Sequence, residues 1–98
     1  VDPETRYVRR AISPPGDPDL QLTLVDLPPL ARVRYPADAY TFIRQQIWVL
    51  RGTLTFREGT TTQTLRAGDC LQLGPPAPCV FENRAARPCR YLVAVARR

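Results

Sequence analysis

The stretch Thr41–Asn83 contains the pattern on which the predicted fold of this chain mainly rests. It begins with T-F-I-R-Q-Q-I-W-V-L-R-G-T-L-T-F at Thr41–Phe56 and ends with R-A-G-D-C-L-Q-L-G-P-P-A-P-C-V-F-E-N at Arg66–Asn83. Successive side chains of a strand point to opposite faces of its sheet. The alternation in the first run therefore predicts a strand with one face made of Thr41, Ile43, Gln45, Ile47 and Val49. The E-G-T tripeptide at 58–60 predicts a hairpin turn into a second alternating run.

Further strands are predicted on both sides of this stretch. Three precede it, at Arg6–Ile12, Leu20–Leu27 and Leu30–Tyr35, and the last is Cys89–Ala96. Gly and Pro punctuate the runs, and R-A-A-R-P at 84–88 is interpreted as a hairpin connection. No capping box precedes a helical period, so no helix is expected. About nine short strands predict an all-β sandwich or barrel.

The length of 98 residues fits one domain. No apolar run approaches the length of a membrane span and no signal peptide opens the chain, so a cytoplasmic protein without membrane contact is expected. The chain begins with Val1 and contains no Met. We therefore expect it to be part of a longer protein, with residues 1–5 as the remnant of a linker and residues 6–98 as the domain.

The net charge of +5 comes from fourteen arginines without any lysine. A nucleic-acid-binding domain usually concentrates its basic side chains on one face or along one helix. Here the arginines are scattered through the predicted turns and strand edges. Direct DNA binding by this piece is not expected.

The three cysteines, Cys70, Cys79 and Cys89, have no CxxC spacing and are odd in number. They are interpreted as reduced, buried, small apolar residues. A nucleophilic Cys79 would need a neighbouring base or positive charge. The chain contains no His, and Arg44 is predicted to point away from the face of Gln45, so an inert thiol is expected.

The stretch resembles the two motif regions of the cupin superfamily, whose members fold as double-stranded β-helix jelly rolls. The second motif runs G, five residues, P-x-G, two residues, H, three residues, N. Anchored on Gly68, it reaches Gly74 and Pro76 in a G-P-P variant of P-x-G, Cys79 at the His position, and Asn83. Anchored on Gly52, the first motif has its Glu position at Gln45. Its two His positions fall on Ala39 and Thr41, or on Asp38 and Tyr40 with a longer spacer.

This resemblance implies a cupin scaffold without the usual metal ligands. A site for Mn, Fe or Ni requires imidazoles and a carboxylate, and one amide and one thiol do not replace them. No metal, cofactor or catalytic residue is therefore expected, although a role for Asp38 or Tyr40 as a replacement ligand is left open. Asp69 is interpreted as a turn residue that bonds main-chain amides.

The residues expected to project into the barrel form a candidate small-ligand site, apolar with a few polar groups. They are Thr41, Ile43, Gln45, Phe56, Cys79 and Phe81. The alternative is a filled core in which Gln45 satisfies a backbone group. Trp48, on the opposite face of its strand, is expected to pack between the sheets, and the alternative is a dimer or interdomain surface.

Within the superfamily, the chain is similar to the C-terminal cupin domain of bacterial helix-turn-helix regulators. That resemblance implies a non-enzymatic domain that senses a small effector, dimerises, or does both. DNA would be bound only through an absent N-terminal domain. The alternative is a small stand-alone cupin enzyme of isomerase or dioxygenase type. A domain that only dimerises, with a filled interior, is a third reading.

Overall fold

The computed structural model describes residues 7–16 and 19–97, so the predicted linker at residues 1–5 lies outside the described residues. The described part holds nine strands and one short 3-10 helix, Ala37–Tyr40. No helix in this part is long and apolar enough to cross a membrane. The strands are β1 Val8–Ala11, β2 Leu20–Leu27, β3 Arg32–Tyr35, β4 Ile43–Arg51, β5 Thr53–Glu58, β6 Thr61–Arg66, β7 Cys70–Gln72, β8 Cys79–Glu82 and β9 Cys89–Arg97.

The strands form two antiparallel sheets that enclose one core. One sheet has the order β1-β2-β9-β4-β7 and the other β3-β8-β5-β6. The prediction of an all-β jelly roll is confirmed, and so is the hairpin at 58–60, because Glu58 pairs with Thr61. The hairpin predicted at residues 84–88 is wrong: β8 and β9 belong to different sheets, so this connection crosses the sandwich.

Asn83 secures that crossing. Its side chain is fully buried, and its Nδ2 donates to the backbone carbonyls of Leu27, at 3.1 Å, and Arg87, at 2.7 Å. Its Oδ1 accepts a hydrogen bond from the backbone N–H of Ala85 at 3.0 Å. A buried amide with three such bonds loses little on leaving water. The Asn of the second motif therefore joins the end of β2 to the loop before β9.

The segment before β4 differs from the prediction. Residues 37–40 form the 3-10 helix where no helix was expected, and Thr41 continues with helical angles (φ −58°, ψ −41°). The strand consequently begins at Ile43. From there the predicted alternation is confirmed, because Gln45, Ile47 and Val49 are buried while their neighbours in the strand are exposed.

The inward faces of both sheets supply the core. Its buried apolar residues are Val25, Leu27, Ala31, Val33, Tyr40, Ile47, Val49, Leu54, Phe56, Leu65, Cys79, Phe81, Cys89, Tyr91 and Val93. Between β4 and β5 the chain bends at Gly52, where φ is +78° and a Cβ would lie 2.7 Å from the carbonyl oxygen of Pro88. Only glycine fits both the left-handed backbone and this close approach.

The outer face of the five-stranded sheet is apolar across four adjacent strands. Leu24, Leu92, Trp48 and Cys70 are cross-strand neighbours in one row, and Leu22 and Ala94 lie in the next. We call these six residues the outer patch. Two expectations fail here: Trp48 is 46% exposed instead of packed between the sheets, and Cys70 is exposed, unlike Cys79 and Cys89. Both lie on strand positions that point away from the core.

Candidate ligand-binding cavity

A cavity of about 240 Å³ opens between the two sheets, beside the 3-10 helix. Its lining comes from strands of both sheets and from the helix, so the jelly roll itself shapes it. The lining residues are Arg9, Val25, Tyr35, Ala39, Tyr40, Ile43, Gln45, Phe81, Tyr91, Val93 and Val95. The interior of the sandwich is therefore not completely filled by side chains.

Aromatic rings form much of the cavity wall. Phe81 lies at the centre of this group, with its ring stacked on Tyr91 at a centroid distance of 5.5 Å and an interplanar angle of 10°. Tyr35 meets Phe81 edge-on at 5.6 Å and Tyr40 at 6.4 Å. Such mutually packed rings hold one another in place. Packed aromatic rings therefore form a large part of the wall.

Besides the tyrosines, two polar side chains line this cavity. Gln45 points inward from β4 and is 8% exposed, and Arg9 lies on β1 opposite the inward-facing Val25. Burial raises the pKa of Tyr91 well above its ordinary value, and the positive charge of Arg9 opposes that shift. Arg9 is thus close enough to act electrostatically on the cavity wall.

Tyr40 carries an unusual hydroxyl. Among the described residues, its oxygen is the one buried side-chain polar atom without a hydrogen-bond partner. The Cys79 thiol donates to the carbonyl of Ala77 at 3.4 Å and lies close enough to the Tyr40 hydroxyl to influence the pKa of both groups, but a neutral thiol is a weak acceptor and does not replace an oxygen or nitrogen partner. Burial raises the pKa of Tyr40 far above its ordinary value, and burial also raises that of Cys79. Both groups are therefore protonated at neutral pH.

The residues at the cupin metal positions differ from the usual donor set of imidazoles and a carboxylate. Tyr40 is buried, whereas Ala39 and Thr41 are exposed, so the longer spacer is the one that brings a motif position inside. The inner groups are then the amide of Gln45, the phenol of Tyr40 and the thiol of Cys79. Transition metals in such sites take imidazole, carboxylate or thiolate ligands. No group of three metal-binding side chains occurs within residues 7–16 and 19–97.

The structure gathers half of the predicted ligand-binding residues at the cavity. Ile43, Gln45 and Phe81 line it. Phe56 is fully buried behind Phe81, at a centroid distance of 4.9 Å, and Cys79 is buried beside Tyr40. Thr41 is exposed outside the cavity, because the 3-10 helix ends where the strand was predicted to begin. Ligand binding by any of them stays a prediction.

Several lining residues were not among the predicted site residues. Tyr91, Val93 and Val95 alternate along β9, so a period-two reading of that strand would have grouped them on one face with Cys89. Arg9 and Tyr35 had no such signal. Their strands have four residues each and lie at the edges of different sheets, and only the folded topology brings them together. Asp69, in contrast, is confirmed as a turn residue, since its carboxylate accepts the backbone N–H of Arg66 at 2.8 Å.

Comparisons with known proteins identify this architecture. No family model matches the sequence, and no curated protein matches it. Among solved structures, the chain is similar to the cupin_2 domain of an XRE family transcriptional regulator from Enterobacter cloacae. The TM-score is 0.83 at 16% sequence identity, over 92% of this chain and 95% of that one.

Two further structures show the range of proteins that share the fold. An HTH_3 family transcriptional regulator from Vibrio cholerae matches with a TM-score of 0.81 at 16% identity, over 96% of this chain and 53% of that one. A sugar phosphate isomerase of the cupin superfamily from Silicibacter pomeroyi matches with a TM-score of 0.70 at 22% identity, over 92% and 60%. This chain therefore has the cupin fold, a jelly roll that it shares with domains of transcriptional regulators and with an isomerase.

Proposed function

We propose that this chain is the effector-binding domain of a cytoplasmic transcriptional regulator. The observation that carries the proposal is the 240 Å³ cavity, whose walls are apolar and whose polar groups are few. Ligand sites in proteins have this character. The likeness to the cupin_2 domain of one transcriptional regulator and to about half of another supports the regulatory part, with DNA bound by another domain.

The protonation of the cavity groups supports a binding role over an acid–base reaction. Catalytic bases are poised so that a useful fraction is deprotonated near neutral pH. Tyr40 and Cys79 have raised pKa values, and the eleven lining residues include no carboxylate and no imidazole. The alternative, a small cupin enzyme like the isomerase neighbour, would require turnover of whatever binds in the cavity.

The test is a thermal-shift screen of the purified chain against a library of small metabolites. A ligand at one hundred times its Kd stabilises a protein by about 2.7 kcal/mol, which raises the Tm of a domain of this size by about 10–20 °C. Val95→Phe fills part of the cavity and should abolish the shift. Val8→Phe is the matched control, because Val8 is 42% exposed and lies outside the lining.

Two results would contradict the proposal. One is a library that contains no stabilising compound, and the other is a shift that persists unchanged in Val95→Phe. Each stabilising compound is then incubated with the chain and recovered. Recovery of the unchanged compound supports an effector, whereas recovery of a product supports the enzyme.

We further propose that the domain forms a homodimer through the outer patch. Two depressions of about 260 and 220 Å³ lie on this face and share Gln46 and Ala94 at their border. The half-exposed Trp48 ring lines the smaller depression, so one face carries both a large apolar side chain and a recess. A two-fold interface requires such self-complementarity, because the same patch serves both subunits. This favours a second copy as the occupant.

Sedimentation velocity tests the dimer directly. The expected mass is twice the 11.1 kDa of one chain. Trp48→Gln should yield the monomer, while Phe42→Gln should leave the dimer intact, because Phe42 is 77% exposed in the turn before β4 and outside the patch. A wild-type monomer at micromolar concentration, or equal effects of the two substitutions, would exclude this interface.

A further inference from the structure

The cavity carries a single full charge at neutral pH. Of the eleven described residues that line it, Arg9 is the one with a permanent charge. Its guanidinium forms no ion pair with a described residue. A guanidinium presents a planar set of donors that matches both oxygens of a carboxylate. The lining therefore contains an anion-binding group that no carboxylate of the described residues pairs with.

The electrostatic field differs between two parts of the cavity. Arg9 acts on Tyr91, whereas the Glu58 carboxylate acts on Tyr40 and Cys79. Glu58 itself is not a lining residue, and its Oε2 accepts the backbone N–H of Gly74 at 2.6 Å. An anionic group is thus attracted toward Arg9 and repelled from the region of Tyr40. The charged end of a ligand has one favourable position.

The remaining lining suits an uncharged, compact body. Phe81 and Tyr91 offer ring faces, and Val93 and Val95 add aliphatic surface from the same sheet as Tyr91. Gln45 adds one amide that can bond a polar substituent. The volume of about 240 Å³ is below the range of about 300–1,000 Å³ that is usual for sites of drug-sized ligands. The cavity therefore favours a small molecule.

We propose that the cavity binds a small monocarboxylic acid with an aromatic or branched aliphatic body, whose carboxylate pairs with Arg9. The inference rests on the proposed effector-binding function and names the chemical class of the effector. Aromatic walls also suit quaternary ammonium ions. Such a cation would meet the positive charge of Arg9, and the eleven described lining residues offer it no carboxylate, so the anion is the ligand that these side chains select.

Titration calorimetry with three small probes tests whether the cavity prefers a carboxylate. The probes are benzoate, its neutral analogue benzamide, and tetramethylammonium. Benzoate should bind with a Kd at least about tenfold lower than that of benzamide, which corresponds to about 1.4 kcal/mol. Arg9→Gln should remove this preference and leave the Kd of benzamide unchanged.

Arg10→Gln is the matched control. Arg10 adjoins Arg9 but pairs with Leu24, on the outer side of the sheet, so this variant loses the same net charge without changing the cavity. It should keep the preference for benzoate. This separates a specific contact from the general attraction of a chain with a charge of +5.

The outcomes separate this inference from the proposed function. Equal binding of benzoate and benzamide, or a preference that survives in Arg9→Gln, overturns the carboxylate assignment and leaves the cavity as a ligand site. Tighter binding of tetramethylammonium overturns it as well. If none of the probes binds, the carboxylate assignment fails, and the metabolite screen with Val95→Phe decides the effector-binding function on its own.

Discussion

Replacing Tyr40 by Phe removes one oxygen atom from the core and should stabilise the domain. The hydroxyl is buried without a hydrogen-bond partner among the described residues, while in the unfolded chain it is hydrated by water. A buried group left unpaired costs about 1–3 kcal/mol. Loss of the oxygen leaves a small void, which offsets part of the gain. We therefore expect a net increase of about 1 kcal/mol in the free energy of unfolding.

Urea denaturation measures this change directly. With an m-value of about 1–3 kcal/mol per M, the transition midpoint should rise by roughly 0.3–1 M, and the Tm by about 4–8 °C. Tyr7→Phe is the matched control because it removes the same atom from a hydroxyl that does have a partner, the hydroxyl of Tyr35 at 3.3 Å. That substitution should lower the stability by about 0.5–1 kcal/mol.

The contrast in sign is the decisive result. If Tyr40→Phe destabilises the domain as much as Tyr7→Phe does, the Tyr40 hydroxyl has a partner in the folded protein. The nearby thiol of Cys79 would be that partner. The double variant with Cys79→Ala then identifies it, because the loss caused by Tyr40→Phe disappears when its partner is already absent.

Four further predictions concern stability and thiol chemistry. Gly52→Ala should lower the free energy of unfolding in urea by about 2–4 kcal/mol, since the new Cβ meets both a left-handed φ and the Pro88 carbonyl oxygen at 2.7 Å. Gly68→Ala should lower it by about 1–2 kcal/mol, because Gly68 has a φ of +95° but nothing lies within 4 Å of a Cβ there. Equal losses would refute the steric argument. Asn83→Ala should cost about 3 kcal/mol, because two carbonyls and one N–H lose their partner, and a loss below about 1 kcal/mol would mean that water replaces the amide. A thiol reagent at pH 8 should modify the exposed Cys70 in the native protein and leave Cys89 unmodified, as read by mass spectrometry of peptides; modification of Cys89 at the same rate would contradict its burial. Burial, with the Asp26 carboxylate adding to it, raises the pKa of Cys89 from 9.0 to about 11. The folded state therefore holds this proton more tightly than the unfolded state, and the free energy of unfolding should fall as pH rises from about 9 to about 11. Cys89→Ala should make that fall shallower, and an unchanged slope would exclude the thiol as a cause.

The sequence was informative where structure depends on local patterning. The period of two from Ile43 to Val49 is sufficient to assign the inward face of β4, since each buried residue follows an exposed one. The hairpin at 58–60 depends on two residues between paired strands. These features need no information from distant parts of the chain. The cupin motifs added the order of the elements and the position of Asn83.

Other features depend on contacts between distant segments. β2 has apolar residues on both faces, and alternation alone does not show that Val25 and Leu27 face the core while Leu22 and Leu24 face outward. The crossing between β8 and β9 is fixed by a partner 56 residues away, Leu27. In the cavity, a one-residue difference in spacer length decides whether Tyr40 or Thr41 is buried. The sequence spacing allowed both spacer lengths, and the 3-10 helix shows that the longer one places Tyr40 inside.

The hydroxyl pair of Tyr7 and Tyr35 helps to hold β1 in place, and the rate at which β1 opens has a consequence for ligand release. The pair connects the beginning of β1 to β3, which are edge strands of opposite sheets, next to the cavity. All four side chains of β1 are exposed, and short exposed edges open locally at low free-energy cost. We expect the β1 amides to exchange hydrogen faster than those of β9. Because Arg9 lies on β1, a ligand bound to Arg9 would stabilise the closed position of this strand. The ligand would then dissociate at the rate at which β1 opens.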